Sequence, residues 1–235
     1  MKNQLYSFLI ILLIGSIGTA QNLSSFHNKL DSFLGKHVKS GKVDYSSIHA
    51  DRSELDQLVT LSQEIRVSSS SANDFQAFWI NAYNLHVIKG LVDNYPISSP
   101  LDKAGFFDKT KYSIAGENIT LNDIENKMLR AKFKDARFHF VLVCGAVGCP
   151  PLISKAYLPS TLNAQLEQQT KLAINNDKFI KPGKKVAVSQ IFEWYKADFE
   201  KDGKTIDFIN KYRKVPFTAN TKIKYYPYNW KINKK

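Results

Sequence analysis

At 235 residues, the chain has room for one sizeable core, or two small ones at most. A hydrophobic share of 43%, with 12% aromatic side chains, excludes disorder as the main state, along with collagen-like, coiled-coil and low-complexity classes. Two cysteines are too few for a disulfide-dense scaffold or a four-cysteine zinc module, and 33 Lys and Arg against 21 Asp and Glu make the chain basic.

Met1 to Ala20 has one basic residue, Lys2, then an apolar run from Leu5 to Ile14, then small residues with Gly18 and Ala20 before an expected cut. This is the pattern of a secretory signal peptide, and the run is too short to span a bilayer. An uncleaved anchor is the competing reading, because the segment carries a single positive charge. No Cys follows Ala20 to take a lipid, and no later segment reaches membrane-spanning length. The remainder, 21–235, is expected to be a globular domain, periplasmic or extracellular, with no transmembrane segment after cleavage. Export makes nucleic acid an unsuitable partner and leaves peptides or cell-envelope polymer as the expected ones; the oligomeric state is not legible.

Leu23 to Val38 is predicted as an amphipathic helix with Phe26, Leu30, Phe33 and Leu34 on one face. Gly41 to Tyr45 reads as a turn into a short extended piece, and Arg52 to about Gln63 as a second helix. A polar run, Ser68 to Ser71, precedes a helix cap at Asn73 or Asp74. Phe75 to Val92 is apolar nearly all round and is therefore expected to be a central, buried helix, stopped before Tyr95-Pro96.

Tyr112 to Ile119, turning at Gly116-Glu117, reads as a hairpin, after which Thr120 caps a helix with Asp123 as its box partner. Arg137 to Val143 is an unbroken apolar run and is predicted to be the best buried strand. Leu158 to Asn175 is a helix, Lys185 to Val188 a strand, Ser189 the cap of an aromatic helix through Phe199, and Thr205 to Tyr212 a last helix. Ile223 to Tyr228 looks extended. Helices outnumber strands without regular alternation, so the expected class is α+β: a helix-rich single domain with a small, mostly antiparallel sheet.

Several polar residues fall on apolar faces. Asn81 and Asn84 are neighbours on the central helix, where they either hold loop backbone or orient a catalytic group or substrate amide. His86, on the face of Phe75 and Ala82, suits a satisfied core histidine better than a ligand or base. Glu125 lies within the stripe of Leu121, Ile124, Met128 and Leu129, which marks it as an ion-pair member or a general acid/base, with Arg130, Arg137 or His139 as partners.

Cys144-Gly145-Ala146-Val147-Gly148-Cys149-Pro150-Pro151 follows the predicted strand, where active-site loops are common. Pro150 or Pro151 suits the first turn of a helix, which would put Cys149 near a helix N-terminus that lowers a thiol pKa. Two readings of the pair stand open: a reactive thiol, or a disulfide closed across the two glycines in an oxidising compartment. Metal binding lacks a clear fourth ligand, and no cofactor is indicated. If 139–144 is extended, His139 and Cys144 are roughly 16 Å apart, and the base must be Glu125, His86 or His49 instead.

These segments together resemble the DUF547 family. The motifs are Gly41-Lys42-Val43-Asp44-Tyr45, Phe78 to Asn84, Leu121 to Glu125 with Leu129-Arg130, His139 to Gly145 with Cys149-Pro150, Ser189 to Tyr195 with Asp198-Phe199, and Tyr228-Asn229-Trp230. They run in the expected order through nearly the whole chain after residue 20. Asn229 departs from an expected Asp, and His86 from an expected apolar residue, which argues against a shared catalytic role for His86. The family's function is uncharacterised; the likeness extends to papain-like and transglutaminase-like cysteine hydrolases. It implies Cys144 as nucleophile, His139 and Glu125 as base or orienting groups, and Asn81, Asn84 or Cys149 at the oxyanion or substrate. The implied activity is a thiol-dependent hydrolase or acyl transferase on peptide or cell-envelope amides. The alternative is a non-catalytic exported domain binding an acidic or glycan ligand.

Overall fold

A 22-residue helix without a polar face can only be stable inside other elements, and α4 (Ala72–Asp93) is buried along nearly its whole length. The computed structural model describes residues 22–235; the expected signal peptide, Met1–Ala20, lies outside the described residues. Around α4 lie α1 (22–37), α2 (Tyr45–Ala50) and α3 (Ser53–Glu64), which bury Phe26, Leu30, Tyr45, Ile48 and Leu55 against it. Between α1 and α2, β1 (Val38–Lys39) and β2 (Lys42–Val43) form a hairpin turned by Ser40 and Gly41, both at positive φ. The expected turn into a short extended piece is thus present at Gly41 to Val43, and Asp44 then caps α2 through Ser47 N.

The predicted second hairpin is present as β3 (Lys111–Ile114) and β4 (Glu117–Thr120). Thr120 Oγ1 accepts from Asp123 N and starts α5 (Leu121–Asp123), which runs on as a π-helical stretch, Ile124–Arg130, and ends in α6 (Ala131–Phe133). Such wide turns are uncommon and recur at functional sites. This one carries Glu125 and Arg130.

The predicted strand at Arg137–Val143 is instead a 3-10 helix, Ala136–Phe140, followed by irregular backbone. Lys134 at positive φ breaks the preceding helix, and Asp135 Oδ1 accepts from Arg137 N to start the new turn. An apolar run is ambiguous between strand and buried helix, and here it is surrounded on all sides rather than on two. No helix follows Pro150 either: 150–157 is irregular, and α7 starts later than expected, at Leu162–Ile174.

The C-terminal part has its own aromatic cluster of Phe140, Phe179, Phe192 and Phe199, bordered by β5 (Ile180–Lys181), β6 (Val186–Ser189) and β7 (Ile223–Tyr226). β5 and β6 pair antiparallel and β6 and β7 parallel, so the small sheets are mostly antiparallel and the class is α+β. The aromatic helix from Ser189 is split into α8 (Ile191–Trp194) and α9 (Lys196–Phe199), and α10 is Thr205–Tyr212. Phe138 belongs to the α4 cluster and Phe140 to the aromatic one. His139 therefore sits on the seam. No helix among the described residues is long and apolar enough to cross a membrane.

Candidate functional site

The backbone of 141–144 has no neighbouring strand, and α4 supplies the missing partners. Asn84 Nδ2 donates to Val141 O at 2.9 Å while its Oδ1 accepts from Val143 N at 2.9 Å. Asn81 does the same to both polar groups of Tyr157, at 2.7 and 2.9 Å. Both amides are thus engaged by buried backbone, as loop pins, and neither side chain lines the cavity beside the cysteines. Neither amide is therefore placed at the cavity for the oxyanion or substrate role that the resemblance implies.

Cys144 and Cys149 form a disulfide. Cys144 N donates to Cys149 Sγ at 3.0 Å, and the Tyr228 hydroxyl lies 3.0 Å from Cys144 Sγ and 2.8 Å from Cys149 Sγ. With one proton, that hydroxyl donates to one sulfur at a time. Tyr228 is held by the C-terminal tail, which hydrogen-bonds the loop through Val147 N to Lys231 O and Gly148 N to Asn229 O, both 2.8 Å. Gly148 is required by this crossing: a Cβ there would come within 2.9 Å of the Tyr228 ring and of Asn229 N.

Beside the disulfide lies a cavity of about 60 Å³, next to a shallower one of about 240 Å³ with which it shares Tyr83, Glu125, Cys144, Trp194, Tyr195 and Trp230. The inner space is lined by Glu125, His139, both cysteines and Tyr228, so the three side chains named as catalytic from sequence, Cys144, His139 and Glu125, converge here. The turn at Ala136–Phe140 makes this possible, since an extended 139–144 would hold His139 and Cys144 apart.

His139 is almost wholly buried, and its ring stacks on Tyr195 at 3.9 Å between centroids. Its Nε2 is 2.7 Å from Asp198 Oδ2, the oxygen that also accepts from Arg130 Nε at 2.6 Å. Arg130 is further tied to Asn126 Oδ1, and its guanidinium lies 4.7 Å from the centre of the Tyr195 ring. The hydrogen bond from His139, opposed by burial and reinforced by Arg130, holds the Asp198 carboxyl well below the usual carboxylate range. An ionised Asp198 only accepts, so Nε2 carries the proton and the lone pair of the neutral ring is at Nδ1. Nδ1 is 3.9 Å from Glu125 Oε1, too far for a hydrogen bond. Burial, followed by the charge of the Glu125 carboxylate, pushes the Tyr195 phenol far up.

Asp198 is not among the residues that the sequence points to; its one signal there is a carboxylate inside an aromatic helix, beside Phe199 in a motif of the resemblance. Arg137, a suggested partner of Glu125, pairs with Asp135 and Glu167. His86 Nδ1 donates to Ala82 O, and His49 Nδ1 to Val92 O; neither ring lines the cavity. Among the described residues, no group of three or more His, Cys, Asp and Glu is arranged to hold a metal ion.

Residues 67–172 match the family model DUF547, described as a protein of unknown function. This stretch is a DUF547 region. It holds Asn81, Asn84, Glu125, Arg130, His139 and the disulfide, whereas Trp194, Tyr195, Asp198, Tyr228 and Trp230 lie beyond the match. The cavity is therefore shared between the DUF547 region and the chain that follows it. No curated protein and no solved structure matches this chain.

Proposed function

We propose that this chain is an exported, thiol-dependent hydrolase or acyl transferase acting on peptide or cell-envelope amides, with Cys144 as nucleophile once its disulfide is reduced. The observation that carries the reading is the fixed imidazole. Asp198 and Arg130 tie down Nε2, and Nδ1, 3.9 Å from Glu125 Oε1, is left as the proton acceptor in a cavity whose lining includes Cys144. Export fits the amino-terminal pattern and a compartment in which the pair oxidises.

A dithiol donor exchanges with the disulfide, leaving two thiols here and a disulfide on the donor. His139 Nδ1 then takes the Cys144 proton, and the thiolate attacks the amide carbonyl carbon. The Tyr228 hydroxyl, 3.0 Å from Cys144 Sγ, donates to the thiolate and turns to the forming oxyanion as the thiolate attacks. Collapse breaks the C–N bond, the imidazolium protonates the departing amine, and water or a second amine resolves the thioester.

The test is amide cleavage by the purified protein against envelope peptides. Activity should appear on adding dithiothreitol, vanish in Cys144→Ser, and become independent of reductant in Cys149→Ser. Reduced Cys144 should also be alkylated faster than a free cysteine peptide at about pH 6.5, and slower after His139→Ala or Glu125→Gln. Full activity in Cys144→Ser sinks the reading.

The alternative, a non-catalytic exported binding domain, gains support from the exposed Trp194 and its contacts with Tyr228 and Trp230, a surface suited to a glycan face. An acidic ligand is disfavoured in this cavity by Glu125. Glycan binding that survives Cys144→Ser, with no cleavage in the reduced protein, would favour this reading.

A further inference from the structure

The outer cavity has an unusual balance for a protein of formal charge +12. Its walls are Tyr83, Phe107, Trp194, Tyr195 and Trp230, with Asn122 and Cys144 beside them, and its one acidic group is Glu125; no Lys or Arg among the described residues lines it. Glu125 is nine-tenths buried, so its charge is poorly screened by water. Behind it, Asp198 and Arg130 neutralise each other at 2.6 Å. Glu125 is the carboxylate of this network that lines the aromatic cavity, and its contact with His139 Nδ1, at 3.9 Å, is too long for a hydrogen bond.

We propose that this cavity binds an organic ammonium group, such as the side-chain amine of a lysine or another diamino acid in a peptide. Aromatic faces attract a cation through their quadrupole, and a desolvated carboxylate adds a direct charge partner. A neutral isostere would fill the same space without satisfying Glu125, and an anion would be repelled. The volume of about 240 Å³ takes one such side chain rather than a whole peptide. The proposal deepens the reading above by naming a substrate class. Binding is measured with the disulfide intact, where no turnover occurs, so failure of either claim is seen separately.

The experiment follows the fluorescence of Trp194 and Trp230 in the oxidised wild-type protein, titrated with N-acetyl-lysine methylamide, its norleucine counterpart and tetramethylammonium. Both cations should shift the emission, with the norleucine compound about tenfold weaker. Glu125→Gln should weaken the lysine compound by a similar factor, with circular dichroism confirming the fold. Equal affinity for the lysine and norleucine compounds in the wild type overturns the proposal, and needs no variant to be observed. So does unchanged cation binding in folded Glu125→Gln.

Discussion

The imidazole of His139 and the guanidinium of Arg130 converge on one oxygen of Asp198, at 2.7 and 2.6 Å. That oxygen fixes the tautomer on which the proposed chemistry depends. Asp198→Asn keeps the volume but offers the pair an uncharged carbonyl oxygen or, flipped, an NH₂ that cannot accept. On the proposed chemistry, the reduced protein is expected to lose about 10²–10⁴-fold in kcat with its fold retained. Steady-state kinetics beside near-ultraviolet circular dichroism checks both halves.

The same carboxylate contributes to acid stability. Its pKa is depressed on folding, chiefly by His139, so its contribution is full above the unfolded value near 3.8 and is lost as pH falls toward the folded one. Urea midpoints from about pH 5 down to 2 should fall less steeply in Asp198→Asn than in the wild type. Equal slopes would show that the ion pair does not persist in solution.

His27 and His86 act in a higher window. Both are buried, both have Nε2 without a hydrogen-bond partner among the described residues, and burial lowers each pKa from 6.5 to about 4. Between those values the unfolded chain takes up protons that the native one refuses. Stability is therefore highest above 6.5 and declines as pH falls to 4, by up to about 1.4 kcal/mol per pH unit for each ring. His86→Leu should flatten that decline by about half. Denaturant titrations across this window measure it.

Asn84 is a structural test of the loop rather than of the chemistry. Asn84→Ala strands Val141 O and Val143 N in a dry interior, at about 1–3 kcal/mol for each group that water cannot reach. Asn84→Asp can still accept from Val143 N but puts a charge against Val141 O, so it should rescue little. Chemical denaturation of the two variants should give similar losses; a near-neutral Asn84→Asp would mean that the carbonyl finds water.

Periodicity made the scaffold legible where an element has one dry side or none. The helix at 22–37, α3, α4 and α10 follow their apolar spacing to within a few residues, as does the hairpin at Gly116. The failure at 137–143 has a local cause. Asn84 does from a helix what a neighbouring strand would do, so an apolar run needs no sheet. That misreading separated His139 from Cys144, whereas the 3-10 turn puts both on one cavity. Glu125 stood out as a carboxylate on an apolar stripe. Asp198 did not, because its partners come from 59 and 68 residues away and no spacing rule reaches that far.

Tyr228 is the residue through which the C-terminal tail reaches the sulfurs. Its hydroxyl touches Cys144 Sγ and Cys149 Sγ, and its backbone N is fixed by Gln190 Oε1 at 2.8 Å. On reduction it becomes a donor to whichever thiolate forms, so Tyr228→Phe should slow iodoacetamide labelling near pH 7 by about tenfold and displace the profile to higher pH. Gly148→Ala reaches the same end by a different route. The added methyl meets the Tyr228 ring and Asn229 N at 2.9 Å, and the tail must retreat from the loop it covers. Labelling should slow in that variant too, but with a change in Trp230 emission that Tyr228→Phe lacks, because the whole tail moves rather than one oxygen. Fast labelling in both variants would assign the reactivity of Cys144 to His139 alone.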